Sequence, residues 1–225
     1  LSSNIIGSEI ILRPYQFCNL TEVVIRSTDT EQDLERKIAI ATILGTLQAT
    51  YTKFPYLRQV WQDNTDEERL LGVSLTGIMD NPLTTTANPE LPALLERLRE
   101  VSVMVNKEWA GKLGIKQSTA ITAVKPSGTV SQLVNSASGI HARHSEYYIR
   151  TVRGAFNDPL TQFMKDQGIP WEPCAHQPDT TVVFSFPQKS PEQAVLTENT
   201  TAIQQLDTWL AYQRHYCEHK PSVTI

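Results

Sequence analysis

The spacing of apolar residues along the chain predicts three amphipathic helices. The first begins at a cap on Asp29 or Thr30 and keeps one apolar face at helical spacing. The second runs through Pro92–Lys112, and Gly114 is the residue expected to end it. The third covers Thr200–Cys217. Each helix has one face that must pack against another layer of structure.

Runs of β-branched and aromatic residues predict short strands between these helices. The predicted strands are Glu22–Arg26, Ala120–Val124, Tyr147–Val152, Thr180–Phe186 and the beginning of one at Ser222–Ile225. Two more helices are predicted, one from Thr65 through Arg69–Gly77 and one at Thr129–Ser136. Because strands alternate with helices, the pattern favours an α/β fold with mainly parallel pairing. The chain stops inside a β-branched run, so we expect it to be a piece of a larger α/β unit.

The composition is that of an ordinary globular protein and narrows the function classes. The 225 residues are 40% hydrophobic with a net charge of −4. This excludes a broad basic face for nucleic acid, and no apolar run is long enough for a transmembrane helix. Three scattered cysteines do not make a disulfide framework. We therefore expect a cytoplasmic protein without nucleic-acid or membrane partners.

The segment Lys125–Ser131 has the pattern of an anion site. A buried strand runs into a loop and then into a helix, and Pro126 keeps the residue before it out of the helical region. Gly128 lets the backbone come close to a ligand. Hydroxyl groups beside unpaired N–H groups at the helix start suit a phosphate, and they come from Ser127, Thr129 and Ser131. A capped strand-to-helix turn without a ligand is the alternative.

Glu9 and Cys18 stand nine residues apart, on either side of a turn at Pro14. A carboxylate close to a thiol can form an acid/base and redox pair. A surface glutamate and an inert buried thiol would have the same spacing. The two residues alone leave both interpretations open.

Histidines occur in two groups. An H-x-C-x-H motif near the end of the third helix comprises His215, Cys217 and His219. Its spacing suits zinc, but no second pair of ligands follows, so we predict no metal site. His141 and His144 flank Arg143, where they either face an anionic ligand or line a solvated loop.

Five blocks of sequence carry a resemblance to a known family. They are EIILRPYQFCNLTEVVIR, RLLGVSLTGIMDNPL, AVKPSGTVSQLVNSASGIHARHSEYYIRTVR, DPLTQFMKDQGIP and YQRHYCEHKPSVTI. Together they extend over nearly the whole chain and resemble class II, adenosylcobalamin-dependent ribonucleoside-triphosphate reductases. The resemblance implies that residues 1–225 are part of a ten-stranded α/β barrel, incomplete in this chain. In the family, a finger loop inside the barrel carries a cysteine that becomes a thiyl radical.

The resemblance also implies roles for particular residues. Glu9 matches the general base at the 3′-hydroxyl of the substrate, and Cys18 matches the second cysteine of the pair that reduces the 2′ position. The substrate phosphates fall on Pro126, Ser127, Gly128, Thr129, Val130 and Ser131. The implied cofactor is adenosylcobalamin, with most of its site outside this chain. The implied partners are a ribonucleoside triphosphate, a thioredoxin-type reductant and an N-terminal reductase portion.

The chain departs from the family at the finger loop. Counting back from Glu9 through the family motif Asn-Pro-Cys-Gly-Glu places Gly7 where the radical cysteine belongs, within a finger-loop remnant at positions 4–9. The chain alone therefore cannot form the thiyl radical. A split enzyme, an intein at the finger loop or a degenerate fragment would each explain this. The alternative function is an inactive remnant that binds nucleotide phosphates.

Overall fold

A computed structural model describes residues 9–225, which divide into two compact units. The first unit extends to Arg143 and resumes with Gln193–Ile225, and the second is His144–Glu192. The elements in chain order are β1 (Asn19–Val24), α1 (Glu31–Gln48), α2 (Gln59–Glu68), β2 (Leu71–Thr76), α3 (Leu91–Leu113), α4 (Thr129–Leu133), β3 (Tyr147–Ala155), α5 (Pro159–Asp166), β4 (Trp171–Pro173), β5 (Thr181–Lys189) and α6 (Ala202–His215). Gly7 and the other finger-loop positions before Glu9 lie outside the described residues.

The sheet of the first unit is parallel, as the sequence predicts. β1 and β2 pair along their whole lengths. The segment Ala120–Val124 continues the sheet through two isolated parallel bridges, to Val73 and to Pro221, and does not form a continuous strand. No strand forms at Ser222–Ile225, where one backbone N–H group, that of Ser222, donates to the carbonyl of Val124.

The prediction of a helix through Arg69–Gly77 is wrong. Thr65 lies inside α2, which ends at Glu68, and Arg69 turns the chain with a φ of +45°. Every residue of β2 is buried. A strand that is covered on both faces reads as a continuous apolar run, which hydrophobic spacing cannot distinguish from a buried helix.

The three long helices are confirmed. Thr30 caps α1 in a capping box with Asp33, and Gly114 ends α3 with a φ of +67°. α6 starts from a second capping box, formed by Thr201 and Gln204. The predicted helix at Thr129–Ser136 is the shorter α4. Among the described residues, no helix has the length and apolar character that crossing a bilayer requires.

The core of the first unit lies between the sheet and α1, α3 and α6. Its largest fully buried side chains include Leu34, Ile38, Leu71, Leu75, Leu94, Leu95, Tyr212 and Tyr216. The hydroxyls of the two tyrosines donate to the carbonyls of Thr84 (2.8 Å) and Val73 (3.0 Å). These bonds satisfy polar atoms that would otherwise be buried without partners. They link α6 to the carbonyl of Thr84, and Tyr216, the residue that follows α6, to β2.

The second unit departs from parallel pairing. β5 lies between β3 and β4 and pairs with both in antiparallel fashion. β3 and β5 confirm the predicted strands at Tyr147–Val152 and Thr180–Phe186, with longer bounds. Gly154 of β3 lies against Thr161 of α5, and a Cβ there would come within 2.5 Å of the threonine hydroxyl.

Candidate functional site

Glu9 is buried in the first unit, where its carboxylate has a cationic partner. Its side chain is 3% exposed, and Oε2 lies 3.4 Å from Nζ of Lys125. Its carbonyl accepts a hydrogen bond from the backbone N–H of Lys220, at 2.9 Å. Burying a carboxylate is unfavourable unless it is paired. The interpretation of Glu9 as a surface glutamate is therefore wrong.

Cys18 immediately precedes β1 and is less buried than Cys174 and Cys217. Its Sγ lies beside Gly72 of β2, 3.6 Å from the position that a Cβ there would take. Burial raises the pKa of the thiol to about 12, and the positive charge of Lys125 acts in the opposite direction. At neutral pH the sulfur therefore keeps its hydrogen, which suits a hydrogen donor better than a nucleophile.

α2 holds the turn between these two residues. The side-chain amide of Asn64 donates to the carbonyls of Pro14 (2.9 Å) and Tyr15 (3.2 Å). Tyr15 adopts a φ of +61°, and the ring of Phe17 stacks on Trp61 with centroids 4.7 Å apart. A non-glycine residue with positive φ persists when its surroundings determine it. The turn that leads to Cys18 is thus fixed by packing on α2.

In the loop Lys125–Ser131, two of the predicted hydroxyl groups are used internally. Ser127 and Ser131 are both buried. The backbone N–H of Ser131 donates to Oγ of Ser127 (3.0 Å), and the Ser131 hydroxyl donates to the Ser127 carbonyl. Ser138 donates to the same carbonyl, at 2.6 Å. These two serines stabilise the turn itself.

Four of the other loop residues are exposed. The exposed positions are Pro126, Gly128, Thr129 and Val130. A Cβ on Gly128 would meet nothing within 4 Å, so packing within the chain does not require glycine there. The N–H groups at the start of α4 precede its first intrahelical hydrogen bonds. The loop can therefore offer N–H donors and the Thr129 hydroxyl to an anion.

A buried ion pair fixes the chain that follows the loop. Nε of Arg143 lies 2.7 Å from Oδ1 of Asp80, and Nη2 of Arg143 lies 2.8 Å from Oδ2. Asp80 also accepts from the N–H of Ala137, and Arg143 donates to the side chain and carbonyl of Asn135. Bidentate pairing of this kind constrains geometry as well as charge. The sequence analysis did not single out Asp80, because the segment before it was predicted as a helix and not as the buried strand β2.

The two histidines beside Arg143 have separate partners, each within its own unit. Nδ1 of His141 donates to the Ser138 carbonyl (3.1 Å), and Nε2 accepts from the N–H of Thr224 (2.9 Å). His144 belongs to the second unit, where its ring meets Tyr148 edge to face. His141 is thus part of the support of the loop.

The H-x-C-x-H motif is split among three environments. His215 pairs with Glu96 of α3 at 2.7 Å, whereas Cys217 is buried in the core. His219 is buried, with its Nε2 2.8 Å from the Leu71 carbonyl, and burial lowers its pKa. Within residues 9–225 no group of three or more histidine, cysteine or acidic side chains is placed to hold a metal ion.

Lys125 is the residue that brings the predicted site together, and the sequence analysis missed its side chain. It starts the loop Lys125–Ser131 and pairs with Glu9, and its positive charge lowers the pKa of the Cys18 thiol. The sequence offered a signal for Lys125, because a lysine directly before a predicted phosphate-binding loop can supply a positive charge to that loop. The Glu9 carboxylate and the Lys125 ammonium therefore lie together at the start of this loop, and the charge of Lys125 also acts on the Cys18 thiol.

Comparison with known proteins agrees with the resemblance found in the sequence. No family model matches the chain. The chain is 29% identical over 217 residues to the adenosylcobalamin-dependent ribonucleoside-triphosphate reductase of Euglena gracilis, covering 95% of this chain and 29% of the relative. It is 30% identical over 211 residues to the enzyme of the same name from Lactobacillus gasseri, covering 81% of this chain and 27% of the relative.

The fold also has a counterpart among solved structures. A B-12-dependent, class II ribonucleotide reductase superposes with a TM-score of 0.80 at 24% identity, over 95% of this chain and 33% of that structure. The expectation of an incomplete reductase barrel is thereby confirmed. The chain is homologous to one segment of these reductases and spans less than a third of the length of the two curated relatives.

Proposed function

We propose that this chain supplies part of the catalytic barrel of a ribonucleoside-triphosphate reductase. In this proposal Glu9 is the general base, Cys18 is one of the two reducing thiols, and the loop Pro126–Ser131 holds the substrate phosphates. The observation that carries it is the meeting of these three features at Lys125, in a segment homologous to such reductases. The name of those relatives supplies the substrate class, a ribonucleoside triphosphate.

The chemistry of each group supports its proposed role. A buried, ion-paired carboxylate can take the proton of the ribose 3′-hydroxyl, because general bases act from fixed positions within hydrogen-bonding reach. A thiol whose pKa is raised to about 12 keeps its hydrogen until it reduces the 2′ position. That reduction consumes two thiols and leaves a disulfide. Cys18 supplies one thiol, and the other comes from a different portion of the enzyme.

The proposal requires a partner portion that brings the radical cysteine, because Gly7 occupies that position here. The outer edge of β1 has no strand partner among residues 9–225, so it offers a place where such a partner could bind. A cleft of about 470 Å³ lies between β1 and α1, with Ile40 and Leu44 among its lining residues. Thr21 and Glu22, which also line it, each carry a buried oxygen without a hydrogen-bond partner in the described part of the chain. A strand added at this edge would cover the apolar lining and pair these groups.

Adenosylcobalamin, when bound, supplies the radical that starts the reaction. The described residues offer little that fits so large a cofactor. The β1–α1 cleft is mainly apolar and of the size that suits a drug-sized ligand. We therefore assign most of the cofactor surface to the partner portion and derive no step through it. A thioredoxin-type reductant would restore the two thiols after each turnover.

Reductase assays on the assembled enzyme test this function. Purified chain is combined with a complementing reductase portion that carries the radical cysteine, adenosylcobalamin and a dithiol reductant. Cys18→Ser should abolish deoxyribonucleotide formation, whereas Cys174→Ser in the second unit should retain it. Full activity of Cys18→Ser would exclude the proposed role of this thiol. Triphosphate binding without turnover in every assembly would favour the inactive remnant.

A further inference from the structure

β2 carries small residues at alternate positions on the face turned away from α1. Leu71 packs on α1 from the other face, where a Cβ on Gly45 would come within 2.9 Å of its Cδ2. Gly72, Ser74 and Thr76 share the face turned away, because successive residues of a strand point to opposite sides of the sheet. Every residue of β2 is buried, so other segments of the first unit cover this face.

Two of these small residues hold neighbouring segments of the chain. Oγ of Ser74 accepts a hydrogen bond from the N–H of Lys125 at 2.9 Å. The hydroxyl of Thr76 accepts from the N–H of Gly139 (2.8 Å) and donates to the carbonyl of Ala137 (3.0 Å). Because these bonds join side chains of β2 to backbone groups, this face of the strand fixes where the two segments lie.

Gly72 continues the same row at a point where three other side chains meet. A Cβ on Gly72 would lie 2.5 Å from Cδ2 of Leu20, 3.0 Å from Cδ1 of Ile10 and 3.6 Å from Sγ of Cys18. The first two distances are too short, since carbon atoms of different side chains pack best at about 3.5–4.0 Å. The absence of a side chain at Gly72 therefore lets the end of Ile10 lie against β2, beside the thiol.

Leu20 and Ile10 differ in what would move with them if a side chain were added. Leu20 is 43% exposed and Cδ2 is the end of its side chain, so this group can turn into solvent. Ile10 directly follows Glu9, whose Oε2 lies 3.4 Å from Nζ of Lys125. Because the backbone joins the two residues, a shift of Ile10 also shifts Glu9 relative to Cys18.

We propose that Gly72 is a positioning residue, which keeps the Glu9 carboxylate and the Cys18 thiol at the separation that the reaction needs. This inference rests on the proposed function of those two residues. Gly72 acts through Ile10, by leaving open the space that the end of this side chain occupies. Such placement affects the rate steeply, because a displacement of about 1 Å can cost about 100-fold.

The first test compares crystal structures of the full chain and does not depend on reductase activity. In Gly72→Ala, the distance between Sγ of Cys18 and Cα of Glu9 should differ from wild type by about 0.5–1 Å, the shift that restores ordinary carbon contacts. Gly72→Ala/Ile10→Val should return to the wild-type distance, because valine lacks the Cδ1 atom that meets the new Cβ. An unchanged distance in Gly72→Ala overturns the proposal.

The second test measures kinetics in the reductase assembly described above. Gly72→Ala should lower kcat by about 10- to 100-fold and change KM by less than about twofold, because it displaces Glu9 from Cys18 and leaves the phosphate loop in place. Adding Ile10→Val should restore most of kcat. Gly111→Ala in α3, where a Cβ meets nothing within 4 Å, is the matched control and should keep wild-type kinetics. A loss of kcat that Ile10→Val does not relieve, or a rise in KM alone, overturns the positioning role.

Urea unfolding shows whether each variant is folded under the assay conditions. If Gly72→Ala is not folded, Ile10→Ala decides, because it keeps the glycine and removes the side chain that lies on it. Wild-type kcat in Ile10→Ala then overturns the positioning role, and a lowered kcat supports it. A wild-type assembly that forms no deoxyribonucleotide contradicts the proposed function, whereas the crystal distances still decide whether Gly72 fixes the placement of Glu9.

Discussion

The ion pair of Asp80 and Arg143 holds the chain that follows the loop Lys125–Ser131, and it depends on these two side chains. The side chains of both are 3% exposed, and they share two hydrogen bonds. Asp80→Asn removes the carboxylate that forms the buried ion pair with this guanidinium, so we expect the free energy of unfolding to fall by about 3–5 kcal/mol. Urea denaturation followed by far-UV circular dichroism measures this change.

An exposed ion pair provides the comparison for this prediction. Lys112 and Glu108 pair on the surface of α3, where both side chains are more than half exposed. Lys112→Ala should change the free energy of unfolding by less than about 1 kcal/mol, because solvent screens such pairs. Equal losses in Asp80→Asn and Lys112→Ala would contradict the stabilising role given to the buried ion pair of Asp80 and Arg143.

The buried His219 should make the free energy of unfolding depend on pH. Burial lowers its pKa in the folded state, so the unfolded chain binds the proton more readily. The stability that this difference contributes is complete above the unfolded pKa of about 6.5 and is lost as the pH falls through the folded value. His219→Gln should therefore show a smaller loss of stability between pH 7.5 and pH 5.5 than wild type. The other four histidines are common to both proteins, so an equal loss in both would count against this assignment.

At the scale of elements, the turn after β2 depends on a glycine. Gly77 has a φ of +79°, and a Cβ there would clash with the backbone carbonyl of Ile25. Gly77→Ala should destabilise the chain by more than about 1–3 kcal/mol, the cost of the backbone conformation alone. Gly111→Ala in α3 is the matched control, since a Cβ meets nothing within 4 Å and helix propensity favours alanine by up to about 1 kcal/mol. Thermal unfolding should give shifts of opposite sign, and a shift of the same sign would refute the argument.

Local signals explain which elements the sequence could predict. α1 and α3 carry caps and apolar spacing within one segment, so Thr30 and Gly114 mark ends that the structure confirms. β2 has no such signal, because a strand buried on both faces does not alternate between apolar and polar residues. For the site, the sequence indicated the hydroxyl groups of the loop, but it did not show which groups they hydrogen-bond. Whether Ser127 and Ser131 face a ligand or each other depends on the turn, which tertiary contacts determine.

At the scale of the whole molecule, the candidate site is composed of segments distant in sequence. Glu9, Cys18 and Lys125 meet only because β1, β2 and the segment after them lie side by side in a parallel sheet. Such long-range contacts cannot be read from spacing, and the resemblance to a family indicated Glu9 and Cys18 but not the side chain of Lys125. The same sheet leaves the outer edge of β1 without a strand partner among residues 9–225.

That edge leads to a prediction about assembly. Ile40 lines the cleft beside β1 and is 52% exposed. If a complementing reductase portion covers this cleft, Ile40→Lys places a charge in an apolar contact and removes up to about 1.5 kcal/mol of hydrophobic burial, since the side chain is already half-buried. Its dissociation constant for the purified portion should then rise by about tenfold or more. Ile203→Lys on α6 makes the same change at a 67% exposed isoleucine away from the cleft and should leave binding unaltered. Calorimetric titration compares wild type, Ile40→Lys and Ile203→Lys. Equal affinities in all three would mean that the complementing portion does not bind at the β1 edge.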